Sequence, residues 1–236
     1  MGHYLYILGN CQEIAIGLKY MQNRQDNSET SAIKQKFLAQ KIQFFEAILD
    51  LLPFHDWNKK LMLAAEKKCQ FSLGYYKLLF PRGLGEVISE LSAWQDQEMI
   101  DDLTKLNIQG RTKEKIAIAI YRRIILNSKI SHIKYMSYFI STASIGLASS
   151  LAWQTCSKIW YIVGDKAVDF NYYTKRGLLL SVYASAITFY ASDESAEDNE
   201  TKQFINDSLD FITNLAKIKN IFKLPKIENI PFLRLL

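Results

Sequence analysis

Cysteine, proline and glycine are scarce in this chain of 236 residues, which contains 3 Cys, 4 Pro and 10 Gly. The cysteines Cys11, Cys69 and Cys156 are isolated, odd in number and not in CxxC spacing, so neither a disulfide framework nor a zinc site is expected. Turn-forming residues are few and period-2 alternation is rare, which disfavours a sheet protein. These absences predict an all-α fold.

Patterns of catalytic residues are missing as well. The sequence has no Glu-x-x-His pair for a di-iron site and no glycine-rich loop of the kind that holds phosphate. The three histidines, His3, His55 and His132, do not belong to a triad pattern. We therefore predict that the protein is not an enzyme and carries no cofactor of its own.

Positive charge is in slight excess, since the formal net charge is +5 and the sequence pI is about 8.9. This excess permits attraction to nucleic acid or to anionic lipid and selects neither, and a solvated basic surface is equally compatible with it. At 49% hydrophobic residues, the chain is long enough to bury the core of one helical domain.

Charged residues are absent from two stretches, 135–157 and 177–192. We expect both to form helices that are buried around most of their circumference. A membrane span is not expected, because the first stretch is rich in Ser and Thr and the second is shorter than the roughly 20 residues that a span needs.

Small residues are frequent in these stretches, so the interior either packs its helices very closely or retains a cavity. The sequence leaves both alternatives open. The candidate lining residues of such a cavity are large and apolar: Met136, Phe139, Ile140, Leu147, Leu180, Tyr183 and Ile187.

A polar connector, residues 163–176, joins the two uncharged stretches. Asp169 or Asn171 is placed to accept hydrogen bonds from the first N–H groups of the next helix. We also expect Arg176 to pair with Asp165 or Asp169. The residues that define the connector are Gly164, Asp165, Asp169, Phe170, Asn171, Tyr173 and Arg176.

The connector has the pattern G-D-x-x-x-D-F-N-[WY]-Y-T-[KR]-R, entered through Ile159-Trp160-Tyr161. This pattern resembles the C-terminal domain of the ubiquinone-biosynthesis accessory family, the lipid-binding ninth Coq protein and its bacterial relatives. The resemblance favours the cavity and implies an isoprenoid lipid or ubiquinone precursor as its ligand.

The same resemblance implies a partner and a location. Trp160 and Tyr161 would belong to a surface that docks the demethoxyubiquinone hydroxylase. That enzyme would bind the metal and catalyse the redox reaction. The protein would be a homodimer, peripheral on the inner membrane in the cytoplasm, or in the mitochondrial matrix of a eukaryote.

The N-terminal half has a helix-turn-helix outline, with helices predicted over 33–52, 58–68 and 72–80. This order resembles the N-terminal domain of TetR-type regulators. A reading helix needs polar side chains for base edges, and the third segment offers little beyond Ser72 and Lys77. The helix-turn-helix is therefore predicted to be degenerate, with no nucleic acid partner; a ligand-responsive transcription regulator is the alternative.

Two further helices are predicted over 84–106 and 112–127, with Asp96 off the apolar face of the first and Arg123 on the surface of the second. The predicted organisation has four segments. They are a flexible extension (1–32), a helix-turn-helix-like subdomain (33–83), a helical lipid-binding domain (84–223) and a basic, apolar tail (224–236). The tail suits either an anionic membrane surface or packing back onto the bundle.

Overall fold

The computed structural model describes residues 31–141, 145–165 and 170–221. Within these ranges all regular structure is helical, so the all-α prediction is confirmed. The helices are α1 (31–51), α2 (Lys59–Lys68), α3 (Tyr76–Leu79), α4 (Leu84–Lys105), α5 (Thr112–Ile125), α6 (Lys129–Ser141), α7 (Ile145–Ile162), α8 (Phe170–Ser192) and α9 (Asn199–Ile221). This arrangement is a TetR-like helical bundle, as the sequence predicts.

The first three helices surround an aromatic core. A 3₁₀ turn with Pro53 in its first turn follows α1, and Asn58 caps α2 by accepting a hydrogen bond from Lys60 N–H at 2.8 Å. Phe44 and Phe80 are completely buried, with ring centroids 5.5 Å apart. Hydrophobic burial of this kind stabilises the N-terminal subdomain and seats it against α4.

Helix α3 is a single turn, shorter than predicted. Gly74 has φ of +85°, a left-handed conformation that interrupts a helix from Ser72. The buried carboxylate of Glu66 then accepts hydrogen bonds from the N–H groups of Gly74 and Tyr76, at 3.1 and 2.7 Å. These bonds satisfy backbone N–H groups at the start of α3 and just before it, which have no partner inside the helix.

Helices α4, α5, α7, α8 and α9 enclose a second core, whereas α6 packs Tyr135, Tyr138 and Phe139 against the first core. The stretch 135–157 is not one helix, because it includes the end of α6 and most of α7. The prediction of burial around most of the circumference is also wrong for α8, since it exposes small residues at helical spacing: Gly177, Ser181, Ala184, Ser185 and Thr188. One face of α8 is therefore left open.

Among the described residues, no helix combines the length and the apolarity needed to cross a bilayer. The predicted extension and tail fall almost wholly outside the described residues. The domain boundaries stay predictions.

Candidate functional site

A cavity of about 610 Å³ lies between α6, α7 and α8, above a floor to which α4, α5, α6 and α7 contribute side chains. Its walls are mainly apolar. Of the predicted lining residues, five line it: Met136, Phe139, Leu180, Tyr183 and Ile187. Leu147 is not among the lining residues and packs against the N-terminal core instead, whereas the side chain of Ile140 lies outside the described part of the structure.

The floor of the cavity is polar, which the sequence analysis did not predict. Six of its side chains are at most 7% exposed and carry hydrogen-bonding groups: Ser92, Gln95, Arg123, Asn127, His132 and Thr155. The rim, in contrast, is exposed and consists of apolar or small residues such as Met136, Ile145 and Ala184. The cavity therefore becomes more polar with depth.

Asp96 organises this floor from beneath it. One of its oxygens, Oδ1, accepts hydrogen bonds from Arg123 Nε at 2.7 Å and from Thr155 Oγ1 at 2.8 Å. Lys158 Nζ lies 3.0 Å from Oδ2, and Arg123 Nη2 donates to Ser92 Oγ at 3.1 Å. These bonds connect α4, α5 and α7, and they compensate the buried charge of Arg123.

Two predictions about these helices are wrong. Asp96 is 1% exposed and Arg123 is 4% exposed, whereas both were predicted to lie away from the core. A signal was present in α4, because Gln95 and Asp96 share the helical register of the buried residues Leu91, Ser92 and Met99. Polar residues in an apolar register are candidates for a buried network.

Burial controls the titration of the cavity's ring side chains. It lowers the pKa of His132 to about 4, so the imidazole is neutral at pH 7, and His132 Nε2 lies 2.9 Å from the carbonyl oxygen of Ile124. It raises the pKa of Tyr183 to about 12 and also raises the pKa of Tyr135. Both phenols therefore keep their protons.

The described ends of the connector, 163–165 and 170–176, form the corner where α7 ends and α8 begins. Gly164 has φ of +89°, and its N–H donates to the Tyr161 carbonyl at 3.0 Å, while Asp165 N–H donates to the Trp160 carbonyl at 3.0 Å. This pair of bonds is the Schellman motif, which ends a helix with a left-handed residue that glycine adopts without strain. The side chains of Asp169, Phe170 and Asn171 lie outside the described residues, so the predicted cap of α8 stays a prediction.

Asp165 and Arg176 meet inside this corner. Arg176 is 4% exposed, its Nη1 lies 3.6 Å from Asp165 Oδ2, and its guanidinium carbon lies 3.4 Å above the centroid of the Tyr172 ring. Lys175 Nζ lies 2.7 Å from the other oxygen of Asp165. The pairing expected for Arg176 is therefore with Asp165.

The two predicted partner-binding residues differ in exposure. Trp160 is half-buried, donates from Nε1 to the Lys175 carbonyl at 3.2 Å and lies under the Lys175 ammonium at 5.4 Å. Tyr161 is 80% exposed. Tyr173 is also exposed and stacks on Trp153, with ring centroids 6.3 Å apart. Aromatic rings thus lie on the surface of both α7 and α8.

Comparison with known proteins gives one family match. Residues 145–216, which supply α7, α8 and most of α9, match the family COQ9. A Dictyostelium discoideum protein named "Probable ubiquinone biosynthesis protein coq9, mitochondrial" is 32% identical over 127 residues, or 53% of this chain and 39% of the relative. The chain therefore spans about two fifths of that relative's length.

Two further relatives carry the same kind of name. Ubiquinone biosynthesis protein coq9, mitochondrial, of Schizosaccharomyces pombe is 25% identical, with 83% of this chain and 77% of the relative covered. Ubiquinone biosynthesis protein COQ9, mitochondrial, of Homo sapiens is 20% identical, with 72% and 56% covered. These comparisons confirm the resemblance read from the connector: residues 145–216 match the COQ9 family, and the chain is similar to proteins named as COQ9 ubiquinone biosynthesis proteins.

Proposed function

We propose that the protein is a non-enzymatic accessory protein of ubiquinone biosynthesis. It binds an isoprenoid or quinone lipid and holds this precursor for the demethoxyubiquinone hydroxylase. The observation that carries the proposal is the mainly apolar cavity of about 610 Å³, because two of its walls, α7 and α8, belong to the COQ9 match. Cavities of about 300–1,000 Å³ suit small organic ligands.

The physical need for such a protein follows from the insolubility of polyprenyl chains. Transfer of one CH₂ group from water to an apolar environment is favourable by about 0.8 kcal/mol, so a long chain does not cross water unaided. Apolar side chains such as Phe139, Leu180 and Ile187 replace part of the membrane environment. The net charge of +5 favours a peripheral position on an anionic membrane surface.

The surface around the connector supports the partner proposal. Tyr161 projects into solvent beside the half-buried Trp160, and exposed aromatic residues are frequent anchors in protein interfaces. We assign the hydroxylase to this surface. We also propose that two copies of the chain form a homodimer. The relatives' names place them in mitochondria, which supports the matrix side of the inner membrane as the site of action.

The direct test is mass spectrometry of the organic extract from natively purified protein. Wild type should carry quinone precursors or other isoprenoid lipids that an unrelated control protein lacks. Ala184→Phe places a ring in the cavity and should lower lipid occupancy severalfold. Ser185→Phe is the matched control, because Ser185 is the next residue, is exposed and does not line the cavity.

An empty extract, or equal lipid loss from both variants, counts against the carrier proposal. The alternative of a ligand-responsive regulator requires salt-dependent binding to a palindromic operator. The single turn of α3 gives it no support, since a reading helix must reach several base pairs.

A further inference from the structure

The gradient of polarity in the cavity has a consequence for how a ligand is oriented. The rim contains apolar or small residues such as Met136, Ile145 and Ala184, whereas the buried end contains Gln95 and Asn127. An amphiphile that placed its chain on the polar floor would leave buried polar groups facing hydrocarbon, which is unfavourable. A ligand that enters with its polar head first avoids this mismatch.

The polar groups of the floor already satisfy one another. Gln95 Nε2 donates to Asn127 Oδ1 at 2.6 Å, and Arg123 is bonded to Asp96 and Ser92. These groups therefore do not need a ligand in order to be buried at low cost.

Tyr135 is different, because its hydroxyl oxygen is buried and has no hydrogen-bond partner within the described part of the chain. Tyr135 lines the cavity, and its ring packs edge-on against Trp57 with centroids 4.9 Å apart. Buried hydroxyl groups are normally paired, so an unpaired hydroxyl on a residue that lines a cavity is a candidate donor to a ligand. Since burial raises the pKa of this phenol, it remains a donor at neutral pH.

The charge balance at the buried end of the cavity determines which ligand head group suits it. The guanidinium of Arg123 is neutralised by Asp96 at 2.7 Å, and His132 is neutral at pH 7 because burial lowers its pKa to about 4. Lys158 also pairs with Asp96, but its side chain is 35% exposed and so retains contact with solvent. No strong excess of positive charge is buried there, so a neutral oxygen suits the site better than a phosphate or a carboxylate.

We propose that the Tyr135 hydroxyl donates a hydrogen bond to a neutral oxygen on the ligand's head, such as a quinone carbonyl or a methoxy oxygen. The isoprenoid chain leaves through the rim formed by α6, α7 and α8. This inference rests on the proposed function and specifies how the carrier holds its ligand. Since the head enters first, the chain can stay in the bilayer during loading, and transfer of the ring to a partner takes place through the same rim.

The test compares two probes on the full chain by calorimetric titration. One is a dimethoxy-methyl-benzoquinone with a ten-carbon tail, and the other is farnesene, an isoprenoid hydrocarbon without oxygen. Tyr135→Phe should weaken quinone binding about three- to tenfold and leave farnesene binding unchanged. Tyr121→Phe is the control, because it removes a hydroxyl that bonds to Asp198 and does not line this cavity, and it should change neither affinity.

A second measurement needs no change at Tyr135. Quinone rings quench tryptophan emission at short range, and Trp57 contacts Tyr135, so the bound quinone should quench a component of emission that is absent from Trp57→Phe. If wild type binds the quinone, but Tyr135→Phe binds both probes like wild type or Trp57 is not quenched, the head-first orientation is wrong and the carrier function stands. If wild type binds neither probe, both proposals fail.

Discussion

The buried imidazole of His132 should make folding stability depend on pH between about 4 and 6.5. The side chain is 4% exposed, its ring packs edge-on against Tyr190, and Arg123 adds an unfavourable positive charge. Burial, with this charge, lowers the pKa of His132 to about 4. In the unfolded chain, histidine has its ordinary pKa of about 6.5.

The sign and the size follow from linkage. Between pH 6.5 and about pH 4, His132 binds a proton in the unfolded chain but not in the folded chain. The free energy of unfolding therefore falls as the pH falls through this window. One pKa unit corresponds to about 1.36 kcal/mol, which gives a maximum loss of about 3 kcal/mol. At pH 5 the expected loss is about 2 kcal/mol relative to pH 7.5.

Urea unfolding of wild type and His132→Gln at pH 7.5 and pH 5 measures this effect. Glutamine keeps an N–H donor for the Ile124 carbonyl and does not titrate. The difference in unfolding free energy between the two proteins should therefore change by about 2 kcal/mol in favour of the variant at pH 5. Equal pH dependence in both proteins would show that His132 is protonated as easily in the folded state as in the unfolded chain.

Two other predictions concern the buried ion cluster and the connector surface. Asp96→Ala leaves Arg123 buried without its carboxylate and should lower the unfolding free energy by about 3–5 kcal/mol, whereas Lys158→Ala should cost under about 1 kcal/mol. Urea titration checks both, and equal losses would contradict the assigned roles. Trp160→Ala should destabilise by about 1–3 kcal/mol and Tyr161→Ala by at most about 0.5 kcal/mol, because Trp160 is half-buried and hydrogen-bonded to Lys175, whereas Tyr161 is 80% exposed. Calorimetric melting checks this pair, and similar losses would mean that Tyr161 is not a free surface residue.

Local signals in the sequence were sufficient for most of the architecture. Pro53 predicts the end of α1, and the apolar periodicity of α4 and α5 predicts helices that match the observed ones to within two residues. Gly164 sits where a helix ends with a left-handed residue. α3 is the exception among the short helices, because Gly74 and the distant Glu66 together shorten it.

The candidate site was predicted only in part. Hydrophobicity marked Met136, Phe139 and Leu180 as candidate lining residues, and the family resemblance favoured a cavity over close packing. Leu147 belongs to the same pattern, yet it packs against the N-terminal core. Hydrophobicity predicts that a residue is buried, but the crossing of the helices determines which neighbour buries it.

The sequence by itself therefore determined the helical class, the principal helices and the family-like connector, since each depends on residues that lie near one another in the chain. Only the tertiary structure decided that Asp96 meets Arg123, 27 positions away, and Lys158, 62 positions away, beneath one cavity. It also decided that the Tyr135 hydroxyl is buried without a described partner. Such placements depend on how the helices pack, and local periodicity carries no information about pairings at that distance.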